Sequence, residues 1–361
     1  MWSVDCIVGR VPGWARLFGM SQTAPSPSAA RPVIVVGAGL SGLVAATQLE
    51  RRGVPTVVLD KGRSVGGRLA TRRATGVDGR EARFDHGAQF FTVRSEEFAT
   101  LVDDWLSIGL VREWCRGFRP GGDGFPRYVA DSGMNSIAKH LAKAVDVRCN
   151  TKVHAIAGDA GTLSVSADDG QRWESDVVVA TPPVPQSLAL CENGWLPIPE
   201  DDEHSLLAIS YAPCLALLVS LDRPSFVPAP GGLQLDPADD AVFSFVGDNA
   251  AKGISEISAL TFHANDRVSI ERFDDEDDDT RAYLLSEASR FFDPTGVTHV
   301  ELKKWRYARP IVGYHARLLN VEPIPGTSLI FGGDAFGDSK VEGAAISGLA
   351  IADCVAGSNR T

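Results

Sequence analysis

One stretch, Val33-Ile-Val-Val-Gly-Ala-Gly-Leu-Ser-Gly-Leu43, limits what this chain can fold into more than any other. Four apolar, mostly β-branched residues, Val33 to Val36, read as a strand buried on both faces. Gly37, Gly39 and Gly42 follow in G-x-G-x-x-G spacing. Leu43 to Arg52 then reads as a helix that Gly53 ends, and Thr56 to Leu59 as the next strand. Asp60 closes that strand at roughly the 20-residue distance where an acid hydrogen-bonds a ribose hydroxyl. Each part has a physical task. Gly37 permits the tight turn, Gly39 lets the backbone approach a pyrophosphate, and Gly42 lets the helix pack against the strand. The helix N-terminus offers free N–H groups to the anion. The motif specifies a dinucleotide site and leaves open whether the dinucleotide is a flavin or a nicotinamide.

The 361 residues suffice for two domains and a large core. A net charge of −11 argues against nucleic acid as a main partner, because phosphate binding needs a basic surface. No window has the ~18 consecutive apolar residues of a membrane span. The six cysteines are scattered without a C-x-x-C pair, so structural zinc and a disulfide framework are not expected, and an intracellular, cytoplasmic setting is. Residues 1–31, rich in Ser, Ala and Pro toward their end, read as a flexible leader. They lack the basic start and long apolar core of a secretory signal. Organelle targeting by this segment stays open, as does a start at Met20.

After Asp60 comes Lys61-Gly-Arg-Ser-Val-Gly-Gly-Arg68. Gly66 and Gly67 can bring N–H groups near a second phosphate, with charge from Arg68 or Arg63. An acid followed at this distance by Gly-Gly-Arg resembles the second fingerprint of the FAD-dependent amine oxidase superfamily, which includes monoamine oxidases, phytoene desaturases and renalases. Three further segments resemble renalases in particular: Asp85-His-Gly-Ala-Gln-Phe90, Arg127-Tyr-Val with Gly133-Met134, and Lys304-Trp-Arg-Tyr-Ala-Arg-Pro310. Toward the end, Gly332-Gly-Asp334 and Val341-Glu-Gly-Ala344 are similar to the superfamily's last cofactor segments.

The resemblance covers residues 32–354 and is weak over 190–300. It implies an α/β fold: a Rossmann-type, glutathione-reductase-like FAD-binding domain with a second, mainly antiparallel β substrate domain. The division expected is 32–90, 130–185 and 304–361 for the FAD-binding domain, and 91–129 and 186–303 for the substrate domain. Together with the glycine motif, it assigns cofactor contacts to Gly37, Gly39, Leu40, Ser41, Gly42, Asp60, Lys61, Gly67, Arg68, Gly87, Ala88, Gln89, Val153, Asp334, Glu342, Gly343 and Ala344. Gly87 to Gln89 would lie along the flavin ring. The helix at Glu342 would point its N-terminus at the ring edge that becomes anionic on reduction, with Gly343 letting the backbone come close. Residues 332–337 read Gly-Gly-Asp-Ala-Phe-Gly, without the Ser-Gly-Gly-Cys of covalent attachment, so FAD is expected to be non-covalent. Ala335-Phe336 departs from the Gly-Asp-Trp-Cys of bacterial renalases.

Other segments carry expectations about packing alone. Phe98, Leu101, Val102, Trp105, Leu106 and Ile108 mark the buried face of a helix from Glu96. Leu163 to Ala167 alternates as an exposed strand. Cys214–Leu221, 241–246 and 257–262 read as strands of an antiparallel sheet. The seven acids within 271–279 favour the N-terminus of a following helix over a metal site, with Ala282, Leu285 and Ala288 on its buried face.

The implied function is a renalase-like FAD oxidoreductase. Hydride would leave a carbon beside nitrogen, with isomeric reduced nicotinamide dinucleotides among the substrates and O₂ as electron acceptor. No metal is called for. Pocket candidates are Trp305, Tyr307, His263 and Gln89, with Arg309 and His315 behind them. The alternatives are an amine oxidase or desaturase on another small molecule, and a flavin-binding module with vestigial activity.

Overall fold

The computed structural model describes residues 31–76, 79–118, 123–159 and 161–358. The leader expected over 1–31 lies outside them except for Arg31, which pairs with Asp176 at 2.8 Å. Val33–Val36 is fully buried at the centre of a six-stranded sheet. It lies parallel to Thr56–Leu59 on one side and to Val177–Ala180 on the other. Asp146–Arg148 and Ser328–Phe331 extend the parallel run, and Leu319–Val321 adds one antiparallel edge. With β-branched residues on both faces, these strands need cover on both sides.

Two layers provide the cover. Helices Leu40–Arg51, Glu96–Ser107, Asn135–Leu141 and Lys340–Ser358 share one core with Val33, Val35 and Val179. A three-stranded antiparallel sheet, Val153–Asp159, Thr162–Ala167 and Arg172–Ser175, covers the other face. Leu163 and Val165 are therefore fully buried and Ser164 nearly so, which corrects the exposed strand expected there. Helix Glu96–Ser107 buries Phe98, Leu101, Val102 and Trp105. Leu106 and Ile108 are exposed because they lie past the apolar stripe.

The second sheet is antiparallel and five-stranded, in the order Gly232–Gln234, Phe243–Asp248, Ala259–Ala264, Ser210–Leu221 and Val297–Val312. Period-2 alternation divides its central strand. Leu215, Leu217, Val219 and Leu221 share a core with Phe262, Val268 and Leu284 of the flanking elements. Leu218 faces the other way, onto Ala82 and Phe84 of the hairpin Thr71–Thr75/Glu81–Asp85. Helix Asp277–Ala288 carries three acids in its first turn and buries Thr280, Leu284 and Ala288, whereas Ala282 is exposed. The division expected at residue 304 falls inside strand Val297–Val312. Helix Glu96–Ser107, expected in the second domain, shares the core of the parallel sheet's helices. No helix among the described residues is long and apolar enough to cross a membrane.

Phe84 is completely buried between the hairpin and the antiparallel sheet. Phe84→Ala should lower the unfolding free energy by about 3–5 kcal/mol, measured by urea denaturation. A loss below about 0.5 kcal/mol would contradict this packing.

Candidate functional site

A cavity of about 1750 Å³ opens at the carboxyl end of the central strand, where strand order reverses. It runs from the glycine turn to the antiparallel sheet. Every residue assigned above to cofactor or pocket lines it except Gly42, Gly343 and His315.

The glycine turn is built as the spacing requires. Gly37 has φ of +103° and no room for a Cβ, which would lie 2.5 Å from Thr181 Oγ1. A Cβ on Gly42 would sit 2.1 Å from the Gly37 carbonyl oxygen, so this glycine serves helix–strand packing. A Cβ on Gly39 would meet nothing within 4 Å and would project into the cavity. Helix Leu40–Arg51 begins beside it with no side-chain cap, leaving its first N–H groups for an anion. Ser41 Oγ, buried in the same turn, has no partner among the described residues. Asp60 ties the adjoining loops, accepting the Ala38 and Gly62 N–H groups at 2.6 Å each. Lys61 and Val153 complete this end, with Lys61 Nζ donating to Gln186 at 3.2 Å. An uncapped helix end, an orphaned hydroxyl and a glycine with open space ahead of it fit the pyrophosphate of a dinucleotide.

Several assigned residues do a different job from the one expected. Arg68 is not free for a phosphate: it forms a two-pronged pair with Asp334 at 2.6 Å per bond and donates to the Tyr307 carbonyl at 3.3 Å. Burial raises the Asp334 carboxyl above its ordinary range, and Arg68 opposes that rise. Gly66 donates its N–H to Ala38 O at 2.9 Å, so that N–H is taken, although both glycines of the pair line the cavity. Gly87 is a glycine because a Cβ would lie 1.9 Å from Arg68 O, and Ala88 N–H donates to that oxygen at 2.9 Å. The Glu342 carboxylate caps another helix, accepting from Ser95 N–H at 2.8 Å and Ser95 Oγ at 2.7 Å. Gly343 faces away, where its Cβ would lie 1.5 Å from Asp338 O. Ala344 lines the cavity at the start of that last helix.

The opposite wall carries the pocket candidates. Trp305 Nε1 donates to His86 O at 2.9 Å, and its ring stacks on the His86 ring at 5.2 Å and 22°. His263 Nε2 lies 3.3 Å from the same carbonyl and 3.5 Å from Gln89 Nε2. Burial pushes both histidines down to about 4, helped by Lys303 at His86 and by Lys252 at His263, so both are neutral imidazoles near neutral pH. Tyr307 packs edge-on against Tyr211 at 5.5 Å. Arg309 lines the mouth and pairs with Asp266 at 2.5 Å, while His315 lies outside the cavity against Tyr314.

Two features at this wall were not among the expected site residues. Lys252 and Asp85 form an ion pair at 2.9 Å, with side chains 1% and 0% exposed. Lys252 Nζ also donates to Gln89 O and Oε1 at 3.3 Å each, and Asp85 accepts from Thr71 Oγ1 at 2.6 Å and Met134 N–H at 2.9 Å. Asp85 breaks an apolar run and was visible as punctuation, but Lys252 sits in an unremarkable loop. The second feature is Arg127, 8% exposed on the cavity wall.

The family model for flavin containing amine oxidoreductase matches residues 106–356, and that for an NAD(P)-binding Rossmann-like domain matches 35–105. Mouse renalase is 23% identical over 88% of this chain and 97% of its own length. An Arabidopsis thaliana protein, lysine-specific histone demethylase 1 homolog 1, is 36% identical over 33% of this chain and 14% of its own. Among solved structures, a putative protoporphyrinogen oxidase from Exiguobacterium superposes with a TM-score of 0.66 at 14% identity, covering 91% of this chain and 99% of that one. Putrescine oxidase bound to putrescine gives 0.56 at 16% identity, covering 91% and 100%.

Gly39→Val should give a protein that retains no flavin yet unfolds at the same urea concentration as the unaltered protein freed of FAD, since its side chain fills the cavity alone. Gly42→Val should lose both flavin and stability. A yellow Gly39→Val protein would contradict the placement of the pyrophosphate. A second prediction follows from the histidines. Below pH 6.5, their ordinary value, the unfolded chain takes up protons that the folded chain refuses down to about 4. Stability from this source is whole above pH 6.5 and declines as pH falls toward 4, by up to about 3 kcal/mol per histidine. His86→Leu should shrink the difference in unfolding free energy between about pH 7 and about pH 4.5. An unchanged difference would contradict the burial of a neutral ring.

Proposed function

The chain belongs to the flavin-containing amine oxidoreductase family, and from that premise we propose that it is a renalase-like oxidoreductase. Its substrate is a small molecule that gives up a hydride from a carbon beside nitrogen. Dioxygen takes the electron pair with two protons and leaves as hydrogen peroxide. FAD, the cofactor of this family, supplies hydride acceptance and electron return when bound. We propose that it is held without a covalent bond.

The chain's own residues bind, orient and exclude water. The uncapped end of helix Leu40–Arg51, with Ser41 and the open face of Gly39, takes the pyrophosphate. Asp60 takes the ribose end, and the start of helix Lys340–Ser358 with Ala344 favours negative charge near it. Gly87 to Gln89 form a wall held from behind by Lys252. Trp305 and His263 close the other side with a flat ring and a neutral imidazole. Substrate recognition belongs to the antiparallel sheet and the segments that join it. The single observation carrying this reading is that one cavity joins the glycine turn to His263 and Trp305.

Mouse renalase supports the substrate class we propose first, reduced nitrogen heterocycles, with isomeric reduced nicotinamide dinucleotides as the leading examples. The test is anaerobic stopped-flow absorbance of the purified protein, mixed separately with these isomers and with simple amines. Bleaching of the flavin band by the isomers alone, with peroxide on admitting air, is the expected result. Bleaching by simple amines alone would overturn the renalase-like reading in favour of an amine oxidase.

A further inference from the structure

We propose that the end of the cavity walled by Phe90, Phe245 and Arg127 is a subsite for a hydrogen-bond acceptor on the substrate: a planar ring bearing a carboxylate or carbonyl oxygen. The proposal rests on the reading of this cavity as the oxidoreductase site and names what the substrate must carry.

Arg127 is 8% exposed, so nearly all of its guanidinium has been taken out of water. Burying such a group is costly unless its N–H donors are matched. Only one nitrogen is matched. NH1 donates to Phe125 O at 2.7 Å and to Asp123 Oδ1. Nε is enclosed without a partner, and NH2 has no partner among the described residues. Arg127 lines the cavity, so a ligand there meets a guanidinium with spare donors.

The surroundings specify the shape of that ligand. The guanidinium carbon lies 5.9 Å from the Phe90 ring centroid and 6.0 Å from that of Phe118. Phe245 is 6.0 Å from Phe90 and 5.6 Å from Phe118, and its other side lies 6.2 Å from His263. An aromatic wall therefore runs from the neutral imidazole to the guanidinium. A flat ring resting on it would point a substituent at Arg127.

Charge decides which substituent. Asp123 is shared between Arg127 and Arg94, the latter at 3.3 Å, so two guanidinium groups face one carboxylate. Glu342, the other acid beside Arg94, is spent on the Ser95 and Arg94 N–H groups. An ammonium would find no free carboxylate here. An acceptor oxygen would find the spare NH2 donors of the guanidinium, a charge-assisted hydrogen bond.

The test is calorimetric titration of the FAD-loaded protein with benzoate, nicotinamide and benzylamine. The flavin colour reports the functional reading separately, before any probe is added. Benzoate and nicotinamide should bind at least tenfold tighter than benzylamine. Arg127→Met should weaken benzoate at least tenfold and leave benzylamine within twofold, and Arg127→Lys should restore part of the benzoate affinity. Benzylamine binding as tightly as benzoate to the unaltered protein would overturn the proposal. So would an Arg127→Met protein that holds benzoate undiminished. The ranking in the unaltered protein decides the matter if Arg127→Met does not fold.

Discussion

A lysine ammonium and an aspartate carboxylate, both almost wholly removed from water, tie the hairpin to the antiparallel sheet. Asp85 ends the hairpin that packs beneath the antiparallel sheet, and Lys252 follows a strand of that sheet. Attraction in a low-dielectric interior is strong, yet desolvation consumes most of it, so such a pair adds little net stability. Its effect is conditional. Removal of one partner leaves a buried charge and costs about 3–5 kcal/mol. The pair is satisfied on every side: Thr71 and Met134 donate to the carboxylate, and Gln89 accepts from the ammonium twice. That closure fixes the Gly87–Gln89 wall, against which His263 and Trp305 are set through the His86 carbonyl.

The cavity is polarised end to end. One end presents backbone donors at an uncapped helix start and an unpartnered hydroxyl, suited to phosphate. The other presents neutral imidazoles, aromatic edges and a guanidinium with spare donors. Between them the Arg68–Asp334 pair joins the second glycine turn to the backbone of strand Val297–Val312. The charges most exposed to error in a site of this kind, two buried carboxylates and a buried lysine, are each matched to a partner. The histidines avoid the cost by staying neutral.

What the sequence made legible depends on how local each cause was. Gly37, Gly39 and Gly42 were readable because their reasons lie within a few residues of themselves, in a positive φ or a clash with the neighbouring turn. Gly343 and Glu342 sit in an equally recognisable motif, yet their roles differ from those expected. Gly343 answers to Asp338 O and Glu342 to Ser95, and neither contact follows from spacing. Arg68 looked like a phosphate ligand because Asp334, its partner, is 266 residues away. Leu163 and Val165 alternate as a half-exposed strand would, but the layer they form lies on the back of the parallel sheet and is buried. Lys252 carries no motif, and the family-like segment that includes Arg127 assigns its side chain no role. Only folding shows that one is sealed against Asp85 and the other is left with unpaired donors on the cavity wall.

The central claim is that the chain cradles one FAD in this cavity through contacts made without a covalent bond. The most direct measurement is the flavin content of the purified protein, read from its visible spectrum before and after acid precipitation. One FAD per chain, released wholly into the supernatant, is the predicted result. A colourless protein that takes up no added FAD, or flavin that stays with the precipitate, would contradict it.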